Sequence, residues 1–350
     1  MDCGSNRLRG GPLRIAYLLE STELSGGVRV ALLQAETLAR RGHRVSVVSP
    51  APEPRWFSLA RARFERRSFS ESRELLAADV RVATFWTTAA PAVAGAAGPV
   101  FHLSQGYEAS FSFYAERREE IEAAYRLPTR KLAVSSSLAA RLETAGYGPV
   151  ENVGQAFDAT GFFPTDAERP AREPVVLMVG PHGADVKGIA VGLAGLALFR
   201  ERGGTFRLRR IAVEPPTPEE SASTVIDDYH RALPPDRMPF AYRASDLFLG
   251  PTRAEEGFGL PALEALACGV SCLLSDTPGN REIAGEAATY FADGDPEALA
   301  AALPGALGSE ARARARREGP EVAKRFDPSR VAERLENAFL RALEAGERRS

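Results

Sequence analysis

Two glutamates frame the stretch Glu256-Gly257-Phe258-Gly259-Leu260-Pro261-Ala262-Leu263-Glu264, and the residue types between them mark the start of a helix. Pro261 suits the first helical position, where its missing N–H costs nothing, and Gly269, after Cys268, suits the residue just past the end. The orphan N–H groups and positive dipole end of such a helix face a loop whose Gly257 and Gly259 permit close backbone approach to an anion, most plainly a diphosphate. Glu256 lies in that loop and Glu264 about one turn inside the helix, so the two project to different parts of one ligand. Two carboxylates beside a phosphate repel it unless they accept hydrogen bonds from sugar hydroxyls. The pattern therefore points to a ribose and a hexose on either side of the phosphate.

These residues need a scaffold that holds a loop and a helix start at one edge of a sheet. Arg14-Ile15-Ala16-Tyr17-Leu18-Leu19 reads as a buried parallel strand. After it come a loop containing Ser25-Gly26-Gly27 and an amphipathic helix with Val28, Ala31, Leu32, Ala35 and Ala39 on one face. Strand patterns recur at 45–48, 80–84, 100–103 and 131–134, so the first half is expected to be a Rossmann-like layer of helices on a parallel sheet. A polar, proline-bearing connector at 166–173 separates it from a second start, with strands at 175–179, 207–213, 247–249 and 270–274 and a helix at 188–200. The closing helix, Pro328 to Ala345, is amphipathic through Val331, Leu335, Ala338, Phe339 and Ala342. The resulting division is a tail at 1–11, an N-terminal domain at 12–165, the linker, a C-terminal domain at 174–327 and a last helix at 328–346. Two such units face each other across a cleft, and ligands bind beyond the carboxyl ends of the strands.

Composition narrows the class. At 350 residues the chain exceeds the usual size of a single core. With 44% hydrophobic and 26% charged residues it is an ordinary globular sequence. A net charge of −2 gives no global pull toward nucleic acid, and no nucleic-acid partner is expected. Cys3, Cys268 and Cys272 form neither a metal-ligand nor a disulfide framework and fit a reducing cytoplasm. The opening Met1 to Gly11 has no apolar core of the kind a signal peptide or anchor needs. The first loop lacks Gly-x-Gly-x-x-Gly, which disfavours a nicotinamide cofactor.

The run from Glu256 through Glu264-Ala265-Leu266-Ala267-Cys268-Gly269-Val270, with Tyr242-Arg243-Ala244-Ser245-Asp246-Leu247-Phe248-Leu249 upstream, resembles family 4 glycosyltransferases. These are retaining enzymes of the GT-B fold, and the likeness is nearest to bacterial rhamnan-type and related polysaccharide and glycoconjugate transferases. His102-Leu103-Ser104-Gln105-Gly106-Tyr107-Glu108, Tyr125-Arg126-Leu127-Pro128 and Val134-Ser135-Ser136-Ser137-Leu138 extend it into the first half. The resemblance implies an α/β GT-B fold, two Rossmann-like domains about a central cleft, with the last helix crossing back to the first domain. It implies transfer of a sugar from a nucleoside diphosphate donor to a hydroxyl acceptor (glycan, lipid-linked or natural-product), with no metal and no further cofactor.

By resemblance Glu264 holds the ribose, Glu256 the donor hexose, and the amides of Gly257, Phe258, Gly259 and Leu260 the phosphate or sugar. Lys187, in Gly180-Pro181-His182-Gly183-Ala184-Asp185-Val186-Lys187-Gly188, pairs with the departing diphosphate. Pro181 stands where the family usually has an arginine, and His182 is the nearest substitute. Gly26 and Gly27 offer an anion site on the opposite wall. His102 is a candidate contact for the donor sugar, with Gln105 or Glu108 able to fill the same space. The chain uses lysine only at Lys131, Lys187 and Lys324, which marks each as a candidate for chemistry. The segment from Arg55 to Arg67 reads either as an arginine-rich surface helix with its aromatics in the core, or as a helix seated on an anionic membrane. The second reading would place the protein peripherally on the inner membrane face. Two other classes stay open: a nucleotide-sugar isomerase on the same fold, and a sugar-nucleotide-binding partner subunit of little activity.

Overall fold

The structure, a computed structural model, describes residues 11–165 and 173–347. The expected tail, Gly11 excepted, and the expected connector, Glu173 excepted, lie outside the described residues, as does Cys3. In chain order the first half runs β1 (Arg14–Leu18), α1 (Gly26–Arg40), β2 (Arg44–Ser49), β3 (Arg63–Arg66), α2 (Arg73–Ala77), β4 (Val80–Ala83), α3 (Trp86–Val93), β5 (Val100–Ser104), α4 (Arg118–Arg126), β6 (Arg130–Ala133), α5 (Ser136–Thr144) and β7 (Val150–Asn152). The second half runs β8 (Val175–Val179), α6 (Ile189–Glu201), β9 (Arg207–Ala212), α7 (Pro218–Ala222), β10 (Ile226–Arg231), α8 (Met238–Arg243), β11 (Leu247–Gly250), α9 (Leu260–Ala267), β12 (Ser271–Ser275), α10 (Pro278–Ala284), β13 (Thr289–Phe291), α11 (Pro296–Ala306), α12 (Ser309–Lys324) and α13 (Pro328–Glu347).

The strands form two sheets, ordered β3-β2-β1-β4-β5-β6-β7 and β10-β9-β8-β11-β12-β13. Every pairing in both is parallel. Each sheet reverses strand order beside its first strand, so the loops after β1 and β8 open at the switch points where such folds bind ligands. The central strands are apolar because helices cover them, as in β1, where Ile15 to Leu18 are all buried.

The last helix joins the halves. α13 packs on α1 of the first half, with Phe339 against Phe101 of β5 at 4.9 Å between ring centroids. Glu336 takes two hydrogen bonds of 2.6 Å from Arg41 and lies 3.0 Å from His43 Nε2. Burial alone would raise the Glu336 carboxyl, but the bonds from His43 and Arg41 outweigh it and hold the group down at about 2.

The expected helix between Arg55 and Arg67 is not there. Residues 50–62 form an irregular segment anchored by the Trp56 indole N–H on the Thr22 carbonyl, 3.0 Å away, and the chain then enters β3 at the sheet edge. Arg63-Phe64-Glu65-Arg66, three charged residues around one ring, suits a half-exposed edge strand. No helix among the described residues is long and apolar enough to cross a membrane.

Candidate active site

Gly259 caps α9, Pro261 occupies its first turn, and Gly269 leaves it in the left-handed conformation at φ +67°. Nearly every side chain of α9 is buried, and α12 packs so close that a Cβ on Gly319 would stand 2.2 Å from the Leu266 carbonyl. A helix clamped this firmly presents its N-terminal loop as a rigid edge. Gly257 serves that edge differently from the sequence expectation. It has no positive φ, and a Cβ there would lie 2.0 Å from the Gln105 carbonyl, so its smallness admits the opposite half of the molecule.

Lys187 ends a short 3₁₀ turn, and Gly188 follows at φ +62° with the Pro251 carbonyl 1.8 Å from where a Cβ would sit. Only glycine fits there on both counts. The turn aims the Lys187 ammonium at Glu256 Oε1, 2.8 Å away, with both side chains partly open to solvent. Two residues 69 positions apart thus meet on the wall of a cavity of about 510 Å³. Gly27, Gln105, Glu108 and Gly257 also line it.

The first half closes against this edge. Ser25 caps α1 through its hydroxyl on Val28 N–H, which places Gly26 and Gly27 in the first helical turn. Gly26 lies against Leu260, and the Gln105 side-chain amide donates to the Gly27 carbonyl at 2.9 Å. Arg29, one turn into α1, reaches across to Glu264 Oε1 at 2.6 Å, while the Tyr242 hydroxyl donates to Oε2 at 2.7 Å. Glu264 is therefore a buried carboxylate with a partner on each oxygen. Farther along, Ser135 donates to the Gly257 carbonyl at 2.9 Å, and Glu282 of α10 accepts from the first amides of α5, Ser136 and Ser137.

Three expectations need correction. His102 has no exposed surface; it lies inside β5 with its ring 4.6 Å from Tyr125, and neither nitrogen has a hydrogen-bond partner among the described residues. Burial, with Lys131 adding to it, holds the imidazole neutral, its pKa down at about 3. It therefore cannot touch a donor sugar from that position. The Phe258 ring packs edge-on against Phe326 at 5.3 Å and is part of the core, and the Leu260 amide already donates to the Phe258 carbonyl. Of the three lysines only Lys187 lines the cavity: Lys131 donates to Leu127 O, Thr129 O and Thr129 Oγ1, and Lys324 bonds Glu321.

His182 is half-buried in the same loop as Lys187 but is not among the cavity residues. Near Pro181, the fully buried Arg210 donates to Glu220, the Met178 carbonyl and the Gly180 carbonyl, so it shapes the loop from inside the fold. Glu108 does border the cavity. Burial outweighs the bond from the Tyr125 hydroxyl at 2.8 Å and pushes its carboxyl up to about 7.

The comparisons with known proteins bear on the same residues. Residues 173–308 match the model of a family described as "Glycosyl transferases group 1", which contains Lys187, Glu256 and Glu264. Across 93% of the chain and 93% of its relative, the sequence is 28% identical to the phosphatidyl-myo-inositol mannosyltransferase of Mycolicibacterium smegmatis. The chain is a glycosyltransferase. Its fold is GT-B. It superposes on sucrose-phosphate synthase from Thermosynechococcus elongatus with a TM-score of 0.73 at 19% identity, over 96% of this chain and 100% of that one. Against Anabaena HepE, solved with UDP-glucose, the TM-score is 0.74 at 15% identity, over 93% and 98%. In this glycosyltransferase the signature glutamates thus stand in unequal settings, Glu256 on the cavity wall and Glu264 sealed behind Arg29.

The motif led to Lys187 and Glu256, but nothing in it pointed to Arg29 or to the rings of Phe85, Phe111, Phe113 and Tyr114 that line the cavity. The signal for the rings was present in the run Phe111-Ser112-Phe113-Tyr114, just past the carboxyl end of β5, where a parallel sheet meets its ligands.

Proposed function

We propose that this glycosyltransferase moves a sugar from a nucleoside diphosphate to an acceptor hydroxyl with retention at the anomeric carbon. The observation that carries the reading is the Lys187–Glu256 pair on the cavity wall, a cation and a hydroxyl acceptor side by side at the mouth of a helix. HepE, solved with UDP-glucose, supports a nucleoside diphosphate as the donor. In this reading Glu256 turns from Lys187 to the donor hexose, Glu264 accepts from the ribose, and Lys187 meets the diphosphate. The C1–O bond to the β-phosphate breaks with its electron pair going to the phosphate. The acceptor oxygen forms the new C1–O bond on the same face, and its proton passes to the departing phosphate oxygen. Lys187 neutralises the charge that develops, and the scheme invokes neither metal nor further cofactor.

The test begins with melting curves in UDP, GDP and ADP and their glucose or mannose derivatives, since a ligand bound to the folded state stabilises it by mass action. One nucleoside diphosphate should raise the melting temperature, and Glu256→Ala should lower release of that diphosphate from its sugar by about 100-fold or more. No stabilisation by any of them, or full release by the variant, refutes the assignment.

A further inference from the structure

The cavity that Lys187 and Glu256 border has a second wall, supplied by the first half of the chain. Phe85, Phe111, Phe113 and Tyr114 line it as a continuous file of rings. Centroid distances are 5.3 Å from Phe111 to Phe113, 4.7 Å from Phe113 to Tyr114 and 6.3 Å from Tyr114 to Phe85. Phe113, between Phe111 and Tyr114 in this file, is nonetheless 48% exposed, a large apolar ring left open to solvent.

Charge on the same wall is one-sided. Glu20 and Glu108 are its acidic groups, the second pushed up to about 7 by burial, and among the described residues that line the whole cavity Lys187 is the one cation. Lys187 is engaged with Glu256 and, in the function proposed above, with the diphosphate. Arg117 is not part of the lining: it acts electrostatically on Glu20 and Tyr114 from outside, with its guanidinium 4.6 Å from the Trp86 ring centre and bonded to Glu120 at 2.7 Å. A phosphate or carboxylate on the acceptor would face Glu20 and Glu256 with Lys187, the lining cation, already engaged, so an anion is disfavoured there.

We propose that the acceptor is a neutral alcohol with a flat apolar ring face, such as an unphosphorylated glycoside, stacked on the Phe85–Phe111–Phe113–Tyr114 wall with its hydroxyl toward Glu256 and Lys187. This rests on the glycosyltransfer reading and assigns its acceptor subsite. The rings supply area and a planar surface. Glu20, Ser21, Ser25, Thr84 and Gln105 are among the polar groups placed to orient hydroxyls, and the ring face selects by shape.

Calorimetry on the full chain with phenyl β-D-glucoside, glucose and glucose 6-phosphate tests it. Phenyl glucoside should bind about tenfold more tightly than glucose, and glucose 6-phosphate no more tightly than glucose. Phe113→Ala, at an exposed position where truncation spares the fold, should remove about tenfold of the phenyl glucoside affinity and leave the melting shift from the nucleoside diphosphate in place. Tighter binding of the phosphate ester, no gain from the phenyl group, or an unchanged Phe113→Ala variant overturns the proposal. Failure of the glycosyltransfer reading is separate, because it appears as no stabilisation by any nucleoside diphosphate, whatever the glucosides do.

Discussion

Glu264 shows how much a single carboxylate depends on its surroundings. Both oxygens are taken, one by Tyr242 from below and one by Arg29 from the opposite half. A carboxylate has about four lone-pair sites, so the Tyr242 hydroxyl can stay when a ribose arrives. Arg29 is the partner that must leave: its side chain is 25% exposed, whereas Tyr242 is fully buried. Arg29→Ala should therefore tighten nucleoside diphosphate binding by about three- to tenfold, roughly 0.6–1.4 kcal/mol, measured by calorimetry. Weaker binding would mean that Arg29 grips the diphosphate and does not compete with the ribose. At this scale the sequence exposed only what a motif fixes in place. Lys187 and Glu256 follow from spacing along two loops, whereas His102 sits in a strand whose five residues are all buried, and no spacing reveals which buried face a side chain takes. Arg29 and Glu264 are 235 positions apart, and only the closed cleft makes them neighbours.

Among the elements, the strands divide along a physical line. Those legible in the sequence are β1, β2, β4, β5, β6, β8, β9, β11 and β12, each flanked by strands on both sides. The four that were not, β3, β7, β10 and β13, are the four sheet edges. An edge strand has one flank open to water and carries mixed residues, as in Ile226-Asp227-Asp228-Tyr229-His230-Arg231, so its period blurs. The crossover helix was legible because its apolar stripe repeats over 20 residues, but its electrostatic anchor was not. Glu336 is depressed from 4.5 to about 2 in the folded chain. Its contribution is thus complete above the unfolded pKa of 4.5 and fades as the pH falls toward 2. Denaturant melts of Glu336→Gln should show a loss on the order of 2 kcal/mol at pH 7, shrinking to nothing near pH 2. A difference that is constant with pH would assign the loss to packing alone.

For the molecule as a whole, the decisive feature is how the two halves meet. Gly257 touches the Gln105 backbone, Ser135 bonds the Gly257 carbonyl, Arg141 bonds the Ala254 carbonyl at 2.5 Å, and Glu282 sits on the N-terminus of α5, where the dipole favours an anion. Each contact has main chain on at least one side, and the Gly257–Gln105 approach has it on both, which leaves little slack there for a changed angle between the halves. A Cβ on Gly257 would stand 2.0 Å from the Gln105 carbonyl oxygen, and neither backbone can yield that much without parting the cleft. Gly257→Ala should hence keep both sheets folded and hold the halves apart. Small-angle scattering should report a larger radius of gyration than for the native chain. Transfer should fall by about 100-fold, since an ångström of misplacement between reacting groups costs that much. Nucleoside diphosphate should still raise the melting temperature, because in the proposed reading the second half grips it. A Gly257→Ala protein that scatters like the native chain and transfers sugar at the native rate would show that this closed arrangement is not the one in which the chemistry occurs.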